Sequence, residues 1–394
     1  MVEWIECSIG DLCSTISDTY KGNDEYVVLV NTSDVLEGKV LNHEAVVNKN
    51  LKGQFKKTFK REDILYSEIR PANKRFAYID FENTSNYIAS TKLMVLRHND
   101  KVLPEYLFAL LKSNYVIAEL QHLAETRSGT FPQITFSSEL APMKVLLPDK
   151  DVQKRIVSIL SSIEEKIDEN TSINNNLEQQ AEALFHSLFV KNANPTWNDG
   201  VLSDLGTVVA GGTPSKTKQE YYSEHGIAWI TPKDLSLNKS KFVSHGEIDI
   251  SELGFSKSSA TKMPIGTVLF SSRAPIGYIA IAANEVTTNQ GFKSVVPNEN
   301  VGTAFMYYLL KFLLPTIEGM ASGSTFKEIS GAGMKSVPVV IPDNETIEEF
   351  NAFCTPIFQQ QEALEAENSR LTDIRDALLP KLMSGELDVS YIDL

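Results

Sequence analysis

Apolar side chains recur at alternating steps of four and three through the middle of the chain: Ile156, Leu160, Ile163, Ile167, then Asn170, Asn174, Leu177, Ala181, Leu184 and Leu188. That spacing holds one stripe on a single face of a helix, as in a heptad seam. A shift of 194 residues gives Phe350, Cys354, Ile357, Gln361, Leu364, Asn368, Leu371, Arg375, Leu378 and Leu382, in the same frame near the C-terminus. One stripe is explained as well by a helix packed on its own domain; two in one frame favour mutual pairing, parallel or antiparallel. Antiparallel pairing brings the mid-seam amides Asn170, Asn174, Gln361 and Asn368 together, and buried amides there fix register at a cost in stability. An opening of the seam to solvent explains them equally. Pro356 predicts a start or a kink in the second helix, since proline suits only a first turn.

The segments ahead of the two helices also repeat. Trp4, Ile9, Asp11 and Leu12 are answered at an offset of 193 by Trp197, Leu202, Asp204 and Leu205. Ile64–Ser67 (ILYS) is answered by Val268–Ser271 (VLFS), with Arg70 and Pro71 matching Arg273 and Pro275. Ala109–Lys112 matches Tyr308–Lys311, each inside an apolar helical segment; SGTFPQI from Ser128 matches SGSTFKEI from Ser322; and Val145–Asp149 matches Val339–Asp343. Matches that keep their order along the chain point to duplication.

A chain of 394 residues exceeds what one core usually holds, which agrees with two domains. With 42% hydrophobic and 22% charged residues it has the composition of a globular protein. No secretory segment opens it, and the longest apolar runs, Ile276–Ala283 and Met306–Ile317, are too short or are broken by Lys311 and Pro315, so a cytoplasmic protein without membrane contact is expected. Cys7, Cys13 and Cys354 show no metal or disulfide spacing, which suits a reducing compartment.

Charge changes the picture. Residues 149–190 carry 4 basic and 8 acidic side chains and residues 343–394 carry 3 and 12, which accounts for 13 of the net 14 negative charges. The rest is near neutral, with basic concentrations. Lys52, Lys56, Lys57, Lys60, Arg61, Arg70, Lys74 and Arg75 cluster in the first half; Lys216, Lys218, Lys233, Lys239, Lys241, Lys257, Lys262 and Arg273 are spread through the second. Such residues are either a solvated face or a phosphate-binding footprint.

Catalytic signatures are missing. In GTVVAGGTPSK, Gly206–Lys216, the lysine does not directly follow the last glycine, unlike a phosphate-binding loop. Pro148-Asp149 with Glu164, Glu165 and Lys166 resembles a nuclease pattern only loosely, because the later residues belong to the heptad helix. There is no dinucleotide loop, no adenine-methyltransferase motif and no histidine ligand spacing. The composition is that of a protein that recognises rather than reacts.

AWITPKDLS (Ala228–Ser236), GGTPSK (Gly211–Lys216), LPDKDVQKRIVSIL (Leu147–Leu160) and LLPKLMSGEL (Leu378–Leu387) together resemble the specificity subunit of type I restriction-modification systems, over the whole chain and in order. The resemblance implies an α+β chain: two duplicated α/β target-recognition domains separated by two long helices that pair as an antiparallel coiled coil, with pseudo-two-fold symmetry. The domains are expected at residues 1–148 and 191–344, and the spacer helices at 149–190 and 345–394. Each domain is expected to read half of a bipartite site in double-stranded DNA. The helices are expected to set the spacing and dock methyltransferase (modification) subunits, two of them, with motor-endonuclease (restriction) subunits joining through the complex. S-adenosylmethionine, ATP and Mg are expected on those partners and no cofactor or metal on this chain. The sequence departs from the family in three places. Val152-Gln153 and Thr346-Ile347 replace a Glu-Gln, which blurs the start of the second helix, and Thr19–Gly22 stands where the second half has GGTP.

Within that frame the candidate DNA-binding residues are Lys56, Lys57, Lys60, Arg70, Lys74, Arg75, Arg127, Thr130 and Gln133 in the first domain, and Lys216, Lys218, Lys233, Arg273, Asn289, Gln290, Ser324, Thr325 and Lys327 in the second. Lys and Arg anchor phosphates, and Arg, Lys, Asn and Gln read base edges. A coiled-coil adaptor without DNA binding, or a freestanding enzyme, are the competing classes.

Overall fold

A computed structural model describes residues 4–49, 51, 53–127, 131–273, 275–323, 327–389 and 391–392. The chain forms two compact units, Met1–Ile167 with Arg370–Leu394, and Asp168–Ser369. Each therefore holds part of both long helices.

The first unit is layered. Its central sheet runs in the order Cys13–Ile16, Leu93–His98, Ile64–Ser67 and Phe76–Tyr78, antiparallel throughout. Side chains alternate across it. Ile64, Tyr66, Met94 and Leu96 face a core shared with the helices Pro104–Leu111 and Asn114–Arg127, while Leu65, Leu93 and Val95 enter a second core with Val28, Val30 and Ala89. Burial on both faces explains why ILYS reads as a continuous apolar run. Over the second core lies a sheet ordered Ala45–Val47, Tyr26–Val30, Tyr87–Ser90 and Phe55–Lys57, with one parallel pair between Tyr26–Val30 and Tyr87–Ser90.

The second unit repeats the plan. Gly206–Ala210, Lys293–Pro297, Val268–Ser272, Ile276–Ala282 and Phe242–Val243 form its main sheet, and a short parallel pair joins Trp229–Ile230 to Thr287–Thr288. Val268 and Phe270 face the helix Thr303–Met320, and Leu269 faces the opposite core. In both units the strand opening the repeat pairs with the strand before a long helix: Ile5–Ser8 with Lys144–Leu147, and Asn198–Val201 with Pro338–Ile341. The repeated phrase at the two starts is a local cap. Asp11 Oδ2 accepts from Ser8 N–H at 2.9 Å and Asp204 Oδ2 from Val201 N–H at 2.8 Å, while Ile9, Leu12, Leu202 and Leu205 are buried.

The long helices span Lys150–Phe185 and Asn344–Ser384, and the first ends in a π-helical turn, His186–Lys191. Repeated aspartates cap both. Asp149 Oδ1 accepts from Asp151 and Val152 N–H at 3.0 Å, and Asp343 Oδ1 from Thr346 N–H and hydroxyl at 2.9 Å. The second helix thus begins at Asn344 and continues through Pro356, so it does not start at the proline. Pro356 and Ala352, the residue whose carbonyl loses its N–H partner to the ring, both lie on the exposed side, where the loss of that bond costs less than it would in a core.

Every seam position of both helices is buried or half-buried. Within the second unit Asn170 Nδ2 donates to Asn368 Oδ1 at 3.0 Å and to Glu367 at 2.8 Å, Gln361 Nε2 donates to Asn174 O at 3.2 Å, and the rings of Phe185 and Phe350 lie 5.8 Å apart. Numbers rising on one helix meet falling numbers on the other, so the pair is antiparallel. In the first unit Ile156 and Leu160 share a core with Leu379, Leu382 and Met383. Both sequence explanations hold at once, because these stripes also contact the domains: Tyr106 and Leu110 in the first unit, Phe305 and Tyr308 in the second.

A buried ionic cluster ties the second domain to its helix pair. Lys241, beside the edge strand Phe242–Val243, is 7% exposed. Its ammonium contacts Glu178, donates to Gln361 Oε1 at 2.6 Å and lies 4.4 Å from the centre of the Phe358 ring. Lys311 donates to the other Glu178 oxygen at 2.7 Å, and the Tyr308 hydroxyl donates to Glu178 at 2.9 Å. The N–H groups of Lys241 and Phe242 donate to Glu365 at 3.0 and 3.1 Å. Burial pushes the Glu178 carboxyl up, but Lys241 and Lys311 outweigh it and hold it at about 2; burial, joined by the charge of Lys311, pushes Lys241 down, and burial pushes Glu365 up. Lys241, grouped by sequence with the basic surface, is a structural residue.

Candidate nucleic-acid interface

Loops of the second domain converge on a concave cleft of about 600 Å³. Five residues selected from sequence line it: Lys216, Lys233, Arg273, Asn289 and Gln290. They come from four separate segments, with Lys233 on a short helix and Asn289 and Gln290 in one turn, and close backbone contact brings these together. A Cβ at Gly211 would lie 1.9 Å from Asn289 O, and one at Gly212 would lie 2.3 Å from Ala260 N, so the GGTP glycines permit an approach no other residue allows. Trp229 Nε1 donates to Gly212 O at 3.0 Å. The Thr231 hydroxyl and N–H both donate to Asp234 Oδ2 at 2.7 Å, capping the helix Pro232–Leu237 that carries Lys233. The conspicuous AWITPKDLS stretch is therefore wall and scaffold of the cleft.

Carboxylates face two of its cations. Lys233 Nζ lies 2.6 Å from Glu247, a hydrogen bond that raises the lysine pKa, and Arg273 lies 3.4 Å from Glu328, which Lys293 also approaches at 3.6 Å. These pairs are partly or fully exposed, and such pairs contribute little to stability. Lys218 pairs with Glu220 at 3.6 Å and is not among the cleft-lining residues; Lys327 is exposed; Ser324 and Thr325 lie outside the described residues. Tyr222, Trp229, Glu247 and Ile248 also line the cleft but were not selected. Only Trp229 carried a sequence signal, the apolar run in AWITPKDLS, which does not distinguish wall from core.

In the first domain Arg70 and Lys74 bracket the turn Pro71–Asn73, both in the left-handed region at φ 45° and 51°. That conformation costs a non-glycine residue about 1 kcal/mol, and it projects basic side chains from a fixed turn. Arg70 N–H donates to Pro132 O at 3.1 Å, Ile69 bridges Gln133, and Lys92 Nζ donates to Gln133 Oε1 at 3.1 Å. Arg70, Lys92 and Gln133 thus share one neighbourhood, and Lys92 was missed. Among the described residues the Arg70 guanidinium has no hydrogen-bond or ion-pair partner. Lys74 pairs with Glu37 at 3.2 Å, and Arg127, at the end of its helix, with Glu139 at 3.0 Å. Lys56 and Lys60 are exposed. Two selected residues are committed inside the domain: Lys57 donates to Leu93 O at 2.8 Å with its pKa lowered by burial, and Arg75 donates to Ser33 O at 3.0 Å and Val35 O at 3.3 Å. Thr130 lies outside the described residues.

Among the described residues no group of His, Cys, Asp or Glu is placed to hold a metal, and no helix is long and apolar enough to cross a membrane. Glu164 of the loose nuclease pattern pairs instead with Lys112.

A family profile described as the type I restriction modification DNA specificity domain matches residues 1–179 and again 194–370. In an alignment of 464 residues the chain is 32% identical to the type I restriction enzyme HindI specificity subunit of Haemophilus influenzae, covering 98% of this chain and 100% of that protein. It is 40% identical over 151 residues to the type I restriction enzyme MjaIX specificity subunit of Methanocaldococcus jannaschii, covering 38% of this chain and 35% of that one. The crystal structure of a type I restriction-modification S subunit from M. genitalium shares the fold, with a TM-score of 0.57 at 18% identity over 99% of this chain and 97% of that one. One domain match in each half, together with an end-to-end relationship to a specificity subunit, establishes that the chain belongs to the type I restriction-modification specificity-subunit family, as the non-catalytic DNA-specificity component of a multisubunit complex.

Proposed function

We propose that each domain binds half of a bipartite site in double-stranded DNA, residues 1–148 reading one half and 191–344 the other, with the segments 149–190 and 345–394 as spacer. The convergence of Lys216, Lys233, Arg273, Asn289 and Gln290 on one cleft carries this reading. Cations anchor phosphates while amides and Arg reach base edges. In the first domain Arg70, Lys74, Arg127 and Gln133 take those roles, with Lys56 and Lys60 as phosphate contacts. Lys57 and Arg75 support the surface from within. The paired helices set the distance between half-sites and dock two methyltransferase subunits, through which motor-endonuclease subunits join; those partners supply S-adenosylmethionine, ATP and Mg.

The test is an exchange. Replacing residues 1–148 by the equivalent segment of a relative changes one half of the methylated motif and leaves the other intact, as read by methylome sequencing of the assembled enzyme. A change in both halves overturns modular reading. Absence of salt-dependent DNA binding by the complex overturns DNA recognition itself and leaves a protein adaptor.

A further inference from the structure

The turn Asn289–Gly291 in the cleft is fixed from several sides. Asn289 N–H donates to Ile230 O at 3.0 Å and Phe292 N–H donates to Asn289 O at 3.2 Å. Gly291 O accepts from Ser272 N–H at 2.7 Å and from its hydroxyl at 3.0 Å, and Gly211 presses against Asn289 O. The amide side chain is oriented as well. Gly291 N–H donates to Asn289 Oδ1 at 2.8 Å, and because a backbone N–H only donates, the oxygen must face it, leaving the Nδ2 hydrogens unused. Gln290 Oε1 accepts from the Thr213 hydroxyl and leaves Nε2 unused; a hydroxyl also accepts, so this contact orients the amide less strictly than the backbone N–H orients Asn289. Among the described residues neither amino group has a partner. The carboxylates lining the cleft are engaged: Asp234 accepts from Thr231 and from Glu247 N–H, and Glu247 pairs with Lys233. The two side chains therefore present their amino groups as unused donors.

We propose that Asn289 and Gln290 determine specificity in the second half-site by facing a base edge that offers only acceptors to the major groove, as guanine does with N7 and O6. This deepens, and rests on, the DNA-reading assignment above. Adenine sets an amino group beside its single acceptor and cytosine presents an amino group, so both oppose donor to donor; thymine offers one acceptor and a methyl group. A base is favoured over a phosphate because Lys216, Lys233 and Arg273 already supply the cations that phosphate binding uses, while a neutral amide releases no counterion.

Asn289→Asp keeps an oxygen for Gly291 N–H and replaces the amino group with an acceptor, which matches the cytosine amino group. In the assembled methyltransferase complex, methylome sequencing of the wild type should return a bipartite motif with a G·C pair specified in the second half. With Asn289→Asp, methylation of sites carrying that pair falls roughly tenfold or more, tolerance shifts at that pair alone, and the first half is unchanged. Gln290→Glu, at an exposed position, makes the same test at the same or the adjacent pair if Asn289→Asp lowers the melting midpoint. The inference is overturned if the wild-type second half specifies no G·C pair, or if the folded variants keep the wild-type motif and rate. It is equally overturned if they lose methylation uniformly over all sites with an altered salt slope, the mark of a phosphate contact. A wild-type complex that yields no bipartite motif instead refutes the DNA-reading assignment.

Discussion

Inserting one heptad into each long helix, near Asn174 and near Asn368, lengthens the unspecified gap of the recognised site by about three base pairs while both half-sites keep their sequence. The two positions belong to one layer of the pair, since Asn170 donates to Asn368 at 3.0 Å and Asn174 to Glu365 at 3.4 Å. A heptad in both helices returns every seam residue to its original face. It adds about 10 Å at roughly 1.5 Å per residue, and DNA rises about 3.4 Å per base step. Sites with the old gap then lose methylation almost entirely, and sites with the longer gap gain it. Sequencing the methylated sites of the reassembled enzyme measures the gap. An enzyme that assembles and methylates at its old spacing shows that the helices do not set the distance.

Removing the Glu178 carboxylate has the largest expected effect on stability. In Glu178→Ala the Lys241 ammonium stays buried among Phe358, Tyr307 and Tyr308 without its counter-charge, and breaking a buried pair from one side costs about 3–5 kcal/mol. For a unit of this size the unfolding midpoint falls by roughly 6–20 °C, which calorimetry measures. Replacing Lys241 by Met in the same chain recovers part of the loss, because no orphaned charge then remains. A loss below about 1 kcal/mol, the range of exposed pairs, shows that the cluster does not hold the domain to the helices. The pH dependence has a definite sign. Glu178 is held at about 2 against an ordinary 4.5, so its contribution is fully present above pH about 4.5 and is lost as pH falls toward 2. The stability difference between wild type and Glu178→Gln therefore narrows over that window. Glu365, raised by burial, is common to both proteins and largely cancels from the difference.

Both the pairing of the long helices and the family were legible in the sequence. Lys57 was not legible in the same way. Lys56 and Lys57 are adjacent in a strand, where successive side chains point to opposite faces; Lys56 is exposed, and Lys57 turns inward to Leu93 O. Alternation says that one of the two faces inward but not which, because that depends on the neighbouring sheet. Lys241 was hidden for a related reason. Charge counting places a lysine on the surface by default, and its partners Glu178 and Gln361 are 63 and 120 residues away. Conversely, Pro356 read locally as a break, and tertiary packing overrode it by burying Cys354 and Ile357 on one side while leaving Pro356 in solvent.

By itself the sequence determined the duplication, the seam of each long helix and the lack of catalytic motifs. Each of these depends on residues within a few positions of one another, or on a pattern repeated along the chain. Tertiary structure decided between the parallel and antiparallel senses that periodicity had left open, in favour of the antiparallel one the family resemblance implied, and it alone decided the continuation of the second helix through Pro356 and the make-up of the cleft. Thr213, Lys233, Arg273 and Gln290 come from four separate segments of the chain, and what unites them is the approach of Gly211 to Asn289 and of Gly212 to Ala260. Contacts between such distant segments follow from how strands and loops pack in space, and no spacing along the chain records them.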